Sequence, residues 1–374
     1  MSTIAHYIER APMALVLLLL TLSVAFANGA NDVSKGIATL AGSGFASYRR
    51  ALAWGAAWTV VGALAAAFIA RGFVPVFSGR GILGALPAGP SFPVAVAVGV
   101  IGWLVFATRT GLPVSTTHAL VGGLVGAGIA AAGPSGVKWG AVVRTVGLPL
   151  AFSPVLALAL VFAILPIVRF LFRRLNAYCV CLERKAVVLA PAAPGPHVQV
   201  GPTFHVVTGS HCQPEVVSRI DALDALHWLS AGWTNFARAL NDAPKVFALG
   251  IAAHATLGVG SGVIIALVAV AMGAGSQLAG WRVTHTLGAK VTRVSSADGL
   301  AANLTTAVLV GLASVFAAPV STTYVSSGAI VGIGIRGGEV RWTLVREMMA
   351  AWLVTLPIAA VLAGATYAVL ARLS

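Results

Sequence analysis

The chain has 374 residues, 58% of them hydrophobic and only 9% charged, whereas soluble domains carry about 25% charged residues. That composition excludes a soluble enzyme. The 24 Lys and Arg against 10 Asp and Glu give a formal net charge of +14. In a soluble protein this would suggest nucleic acid, but here the basic residues sit between apolar stretches and no nucleic-acid partner is implied.

In chain order, charge-free stretches cover 11–31, 51–70, 81–108, 110–137, 145–168, 246–281, 299–335 and 348–371, and a bilayer span needs roughly 20 apolar residues. An all-α polytopic membrane protein follows, with the lipid bilayer as its first partner. The first run, from Ala11, passes without a small-residue cleavage site into Asn28-Gly29-Ala30-Asn31-Asp32, so a retained span is expected rather than a removed signal peptide. The charge-free stretch 186–214 differs, because Pro191, Pro194, Gly195, Pro196, Gly201 and Pro202 interrupt it; it predicts a loop. Cys179, Cys181, Cys212, His197, His205 and His211 fall in or beside this loop. Their spacing matches no standard zinc pattern and the odd cysteine count argues against a closed disulfide set, so no metal and no cofactor is expected.

Two compound motifs recur. Asn31-Asp32-Val33-Ser34-Lys35 returns as Asn241-Asp242-Ala243-Pro244-Lys245, and Pro113-Val114-Ser115-Thr116-Thr117-His118 as Pro319-Val320-Ser321-Thr322-Thr323-Tyr324, at offsets of 210 and 206. Both Ser-Thr-Thr copies run on into glycine-rich apolar sequence. The chain is therefore expected to be a duplicated unit: a first transmembrane repeat at 1–171, a linker at 172–222 and a second repeat at 223–374. Five crossings per half fit the hydropathy, at about 12–42 with a break at Asn-Asp, 51–70, 92–108, 113–132 and 140–170, with counterparts over 223–371. An odd number inverts the halves. The fourth crossing of each half stays open between a spanning helix and a re-entrant hairpin.

With both termini outside, the inner loops hold fifteen basic residues, from Arg49 and Arg50 to Arg341 and Arg346, and the outer side six: Arg10, Arg71, Arg80, Lys138, Arg144 and Arg372. The positive-inside rule then places the linker in the cytoplasm of a cell with this protein in its cytoplasmic (inner) membrane.

Asp32 and Asp242 lie in apolar sequence, where an isolated carboxylate costs at least about 2.5 kcal/mol on insertion scales. Something must compensate for them. Gly29 before the first Asn-Asp and Pro244 after the second predict that each helix is broken or unwound there. An unwound turn frees carbonyls that, with Asn31, Asp32, Asn241 and Asp242, make a site for a hard cation or a proton. Lys35 and Lys245 follow the aspartates by three residues. That spacing allows two self-neutralising Asp–Lys pairs or, if the halves meet, a positive seat for an oxyanion. The Pro-Val-Ser-Thr-Thr segments predict helix starts whose free N–H groups, with the hydroxyls of Ser115, Thr116, Ser321 and Thr322, bind an anion. His118 is read as a proton relay or a structural hydrogen bond, and Arg238 as a partner of Asp242 or of the anion. Asp298 and Asn303 are candidate supporting contacts. His254, His285 and Trp54, Trp58, Trp103, Trp233 and Trp281 are expected to pack or to lie at the interface.

Asn28-Gly29-Ala30-Asn31-Asp32, its partner Asn241-Asp242 and the doubled Pro-Val-Ser-Thr-Thr together resemble the PiT family of inorganic phosphate transporters. Gly280-Trp281-Arg282-Val283 with Thr286-Leu287-Gly288 adds to that resemblance. It implies an inverted-repeat transporter, not an enzyme, carrying phosphate by symport with sodium or protons, or as a neutral metal complex. It assigns Asp32 and Asp242 to the cation and phosphate site, and Ser115, Thr116, Ser321 and Thr322 to phosphate-binding helix ends. This chain departs from the family signature by placing Lys35 and Lys245 where the signature has Asn. A fixed ammonium beside each Asp stands where a cation would, so a proton-coupled or sodium-independent member is expected. The competing readings are a sulfate permease of the same fold, a membrane-embedded enzyme and a phosphate sensor. Homodimerisation, coupling ion and stoichiometry are left open.

Overall fold

The computed structural model describes residues 2–70, 72–87, 89–175, 178–188, 198–208 and 216–373. His197, His211 and Cys212 lie outside the described residues, as do the side chains of Cys179, Cys181, His205 and His254.

Helix α1, Ser2–Asp32, is separated from α2, Ser34–Gly42, by the single residue Val33, whose φ of −57° and ψ of −32° are still helical. Helices α3 (Tyr48–Ile69), α4 (Phe73–Phe77), α5 (Ser91–Thr110) and α6 (Thr116–Ala132) follow. A short α7 (Trp139–Ala141) passes through a π-turn at Val142–Gly147 into α8 (Leu148–Leu175). Beyond the linker come α9 (Ala222–Leu257), α10 (Ser261–Ala279) and α11 (Trp281–His285), the last leading into a second π-turn at Thr286–Lys290. Helices α12 (Ser296–Val315), α13 (Thr322–Gly337) and α14 (Trp342–Leu373) complete the chain.

Seven helical segments among the described residues are long and apolar enough to cross a bilayer: Pro12–Gly42, Tyr48–Ile69, Ser91–Thr110, Trp139–Phe172, Ser261–Ala279, Ser296–Val315 and Trp342–Leu373. Large apolar side chains such as Phe68, Leu278 and Leu353 are exposed on them, as a lipid-facing surface requires. The protein is a multi-pass membrane protein. The Ser-Thr-Thr helices are shorter, with 17 residues in α6 and 16 in α13, or about 25 Å against a hydrocarbon core of about 30 Å.

Two expectations change. The second Asn-Asp does not break its helix: α9 runs unbroken through Pro244. Proline removes one N–H, that facing the Leu240 carbonyl, and close packing of α9 against α3, α12 and α1 holds the turns on either side. The linker, expected to be a loop, holds an antiparallel sheet in the order β2-β1-β3, with β1 at Tyr178–Val188, β2 at Val198–Thr208 and β3 at Val216–Asp221. Pro202 sits in β2, an edge strand, where a missing ladder donor is tolerated, and the Val, Thr and Phe content of β2 favours a strand despite the glycine and proline.

The two halves interleave. Helix α1 packs on α10, α3 on α9, and α2 on α9 and α12. The last long helix of each half lies against the Ser-Thr-Thr pair of the other: α14 on α5 and α6, α8 on α12 and α13. Close approach of α6 and α14 depends on Gly122 and Gly126, since a Cβ on either would collide with the carbonyl of Leu356 or Ala360. This is small-residue packing of the kind that joins helices in lipid. Gly126→Val is expected to lower the melting temperature of the detergent-solubilised protein, by about 1–3 kcal/mol of overpacking. Gly140→Ala, at a helical glycine with nothing near its Cβ position, should leave it unchanged; equal melting of both variants would refute the contact.

Candidate functional site

Asp32 and Lys35 occupy adjacent turns across the Val33 step, and Asp242 and Lys245 adjacent turns of α9. Each pair is in direct contact, Lys35 Nζ 2.6 Å from Asp32 Oδ1 and Lys245 Nζ 3.3 Å from Asp242 Oδ1. Each lysine also reaches the Ser-Thr-Thr segment of the other half: Lys35 donates to Thr322 Oγ1 at 2.9 Å and Lys245 to Thr117 Oγ1 at 2.8 Å. Lys245 donates to Asn241 Oδ1 as well. The two pairs are therefore parts of one centre.

Asn28, four residues before Asp32, ties them together. Its Nδ2 lies 2.9 Å from Asp32 Oδ2, 3.4 Å from Asp242 Oδ2 and 3.0 Å from Thr116 Oγ1, and Thr116 donates to Asp32 Oδ2 at 3.3 Å. Arg238 stands at the position of the duplicated pattern equivalent to Asn28 and donates to Asn28 Oδ1 at 3.2 Å, with a further bond to Thr59. It thus reaches the carboxylates through Asn28 rather than as an ion pair with Asp242.

Asp32, Lys35, Arg238, Asp242 and Lys245 are each at most 1% exposed. Taking such groups out of water costs several kcal/mol each, which only close pairing offsets. With three cations and two carboxylates, the closed centre carries a formal surplus of one positive charge. The N-termini of α6 and α13 add to it. Ser115 caps α6 by accepting from His118 N–H, Ser321 caps α13 by accepting from Tyr324 N–H, and both helices aim their positive ends inward at this region. Thr323 Oγ1 donates to the Val114 carbonyl at 2.7 Å, and the His118 and Tyr324 rings lie 4.8 Å apart, so the two helix ends abut. Such an arrangement offers positive charge together with N–H and O–H donors, the chemistry that an anion site uses.

Asn31 and Asn241 take different places. Asn31 bridges Thr108 Oγ1, the Leu112 carbonyl and the Val114 N–H, fixing the α5–α6 connection. Asn241 donates to Ser314 at 3.2 Å, at the end of α12, and accepts from Lys245. Asp298 caps α12 in a capping box with Ser295 and pairs with Arg169. Asn303 accepts from Thr39 at 3.2 Å, away from the charged centre. Trp54 bonds the Trp228 carbonyl, Trp103 bonds Thr355, and Trp281 packs edge-on to Tyr48 and His285. Asn28, Thr59 and Thr117 entered the centre without being singled out in the sequence. Asn28 was recoverable, since a third amide one turn before an intramembrane Asp is itself a polar group needing a partner.

A closed centre of paired charges, built from matching motifs deep in a polytopic helical body, defines the class: a membrane transporter. The sequence pattern of the phosphate transporter family matches residues 28–363, and the chain belongs to that family. Among its relatives are proteins described as probable low-affinity inorganic phosphate transporters. That of Mycobacterium bovis is 30% identical over 95% of this chain and 77% of its own length, and that of Rhizobium meliloti 29% identical over 95% and 96%. A solved structure described as the sodium-dependent phosphate transporter shares the fold, with a TM-score of 0.74 and 22% identity over 97% of this chain and 100% of that one.

Asp32→Asn leaves Lys35 buried without its counter-charge, and is expected to destabilise the protein by about 3–5 kcal/mol. Adding Lys35→Met should restore much of the melting temperature in detergent without restoring transport. A double variant as unstable as the single one would contradict the pairing.

Proposed function

We propose that the protein is a secondary active transporter that imports inorganic phosphate across the cytoplasmic membrane, coupled to protons and independent of sodium. The observation that carries this reading is the pair of buried Asp–Lys contacts, each lysine hydrogen-bonded across to a threonine of the opposite half. Phosphate rests between the helix ends of α6 and α13, held by Ser115, Thr116, Ser321 and Thr322. Lys35 and Lys245 turn from their aspartates onto its oxygens. Asp32 and Asp242 then accept a hydrogen bond from the protonated phosphate oxygen or hold a proton.

Charge supports proton coupling. A centre with a surplus of one positive charge is neutralised by monovalent phosphate, or by divalent phosphate with one added proton, and needs no further cation. The protein of the solved structure is described as sodium-dependent; in this chain each Asp has a tethered ammonium beside it. The cross-contacts between matching motifs support two inverted repeats that rock about the shared centre. The excess of basic residues in the expected inner loops supports a cytoplasmic linker with both termini outside.

Sulfate is the rival substrate, because both carboxylates are already engaged by lysine and a wholly acceptor anion meets the same donors. Phosphate is favoured because two carboxylate oxygens, Asp32 Oδ2 and Asp242 Oδ2, converge on Asn28, and an acidic ligand can donate to such acceptors whereas sulfate cannot.

In proteoliposomes, labelled phosphate uptake at fixed pH should change by less than about twofold when choline replaces sodium. Excess unlabelled phosphate should compete and excess sulfate should not. Asp242→Asn should reduce uptake to background while the protein still inserts in the membrane. Sodium-stimulated uptake, or sulfate competing as well as phosphate, would overturn the respective part of the reading.

A further inference from the structure

The duplicated centre has unequal surroundings. One turn beyond Lys35 on α2, Thr39 Oγ1 lies 3.1 Å from His227 Nε2 and donates to Asn303 Oδ1 at 3.2 Å. Asn303 Nδ2 approaches Ser230 Oγ at 3.5 Å, and Thr234 donates to the Asn303 carbonyl at 3.0 Å. His227, on the second turn of α9, is fully buried. Gly299 makes room for its ring, since a Cβ there would collide with Nε2.

At the positions related by the same offsets of 210 and 206, the other half carries only apolar residues. Leu249 stands for Thr39, Leu17 for His227, Leu20 for Ser230, Val24 for Thr234 and Ala97 for Asn303; four of the five are buried and Leu20 packs partly buried on the same core. Lys245, the counterpart of Lys35, lies 5.2 and 5.6 Å from the ring centroids of Phe73 and Phe77. A lane of polar side chains, Thr39, Asn303, His227 and Ser230, thus begins one turn beyond Lys35 and leads towards the end of α9 that joins the linker. A duplicated unit needs no such lane for packing, as the apolar copy demonstrates.

Thr39 has one hydroxyl hydrogen, and it goes to Asn303. The ring therefore donates through Nε2–H to Thr39, which leaves His227 Nδ1 as a buried acceptor with no hydrogen-bond partner among the described residues. An imidazole with one nitrogen in a hydroxyl chain and the other unpartnered can take a proton at one edge and release one at the other. Among the described residues, charged groups lie near it on α9, α12 and α2. Asp224 precedes it by three residues on α9, Asp298 adjoins Gly299 on α12 and is engaged by Arg169 of α8, and Lys35 lies one turn from Thr39 on α2.

We propose that Thr39 and His227 relay the coupling proton between the Asp32–Lys35 pair and the linker side of the protein, with Asn303 positioning the Thr39 hydroxyl. The inference rests on proton-coupled transport. A proton from the linker side adds to the ring at the unpartnered Nδ1, and the ring gives up its Nε2 proton to Thr39 Oγ1, which releases its own hydroxyl proton, turned away from Asn303, towards the Asp32–Lys35 pair. The ring is then protonated at Nδ1 with Nε2 bare, so a proton leaving the pair returns by the same atoms: Thr39 Oγ1 takes it and passes its own proton to Nε2, and Nδ1 releases one on the linker side. Each passage restores a neutral ring and a neutral hydroxyl, and no net charge stays in the lane.

The test compares two modes of transport in proteoliposomes, using labelled phosphate throughout. Accumulation driven by an imposed proton gradient requires net proton movement, whereas phosphate–phosphate exchange at equal pH does not. His227→Gln and Thr39→Val are each expected to lose gradient-driven accumulation by at least about tenfold, in line with the loss of a proton-transfer group. Exchange should stay within about twofold of the unaltered protein, which also shows that the variants are folded. Gradient-driven accumulation by His227→Gln equal to that of the unaltered protein would overturn the relay alone, as would accumulation and exchange falling together. No gradient-driven accumulation by the unaltered protein would overturn the coupling reading and the relay with it.

Discussion

The structure depends on the mutual compensation of charges that water cannot reach. Two carboxylates, two ammonium groups and a guanidinium lie in an interior made largely of apolar side chains and uncharged Ser, Thr and Asn. None of them is tolerable there alone. Asp32 and Asp242 are satisfied locally by lysines three residues away and across the centre by Asn28, so the two copies of the motif cannot be separated without exposing charge to hydrocarbon. With three cations against two carboxylates, the centre keeps a formal surplus of one positive charge.

That constraint explains the interleaved architecture. A lysine of one half finds its second hydrogen bond on a threonine of the other, so the Ser-Thr-Thr helix ends must abut at the centre. The long helices α8 and α14 then cover the Ser-Thr-Thr pair of the opposite half, and Gly122 and Gly126 let the backbones come close enough. Fixed donors at two helix ends in an interior of low dielectric interact with a negative charge far more strongly than the same groups in water.

Much of this was legible in the sequence. Charge-free stretches locate the helices because lipid demands apolar side chains, and the doubled motifs point to Asp32, Lys35, Asp242, Lys245 and the Ser-Thr-Thr starts because charge in such a setting is rarely idle. Three things were not. Pro244 looks like a helix breaker, but tertiary packing overrides a propensity when the neighbouring turns are clamped. The linker sheet was hidden by glycine and proline in an edge strand that tolerates them. Of the polar lane only Asn303 stood out in the sequence; Thr39 and His227 did not, because its members come from α2, α9 and α12, separated by long stretches of chain, and none belongs to a repeated motif. Asn31 shows the opposite limit: it sits beside Asp32 in sequence, yet its amide serves the α5–α6 connection.

We propose that the five buried charges and the two helix ends are the seat of phosphate. An experimental structure determined at saturating phosphate tests it most directly. The account predicts a tetrahedral density between the N-termini of α6 and α13, with Lys35 and Lys245 Nζ turned onto its oxygens and Thr116 and Thr322 in hydrogen-bond contact. Phosphate bound elsewhere, with both Asp–Lys contacts intact and the helix ends still abutting, would contradict it.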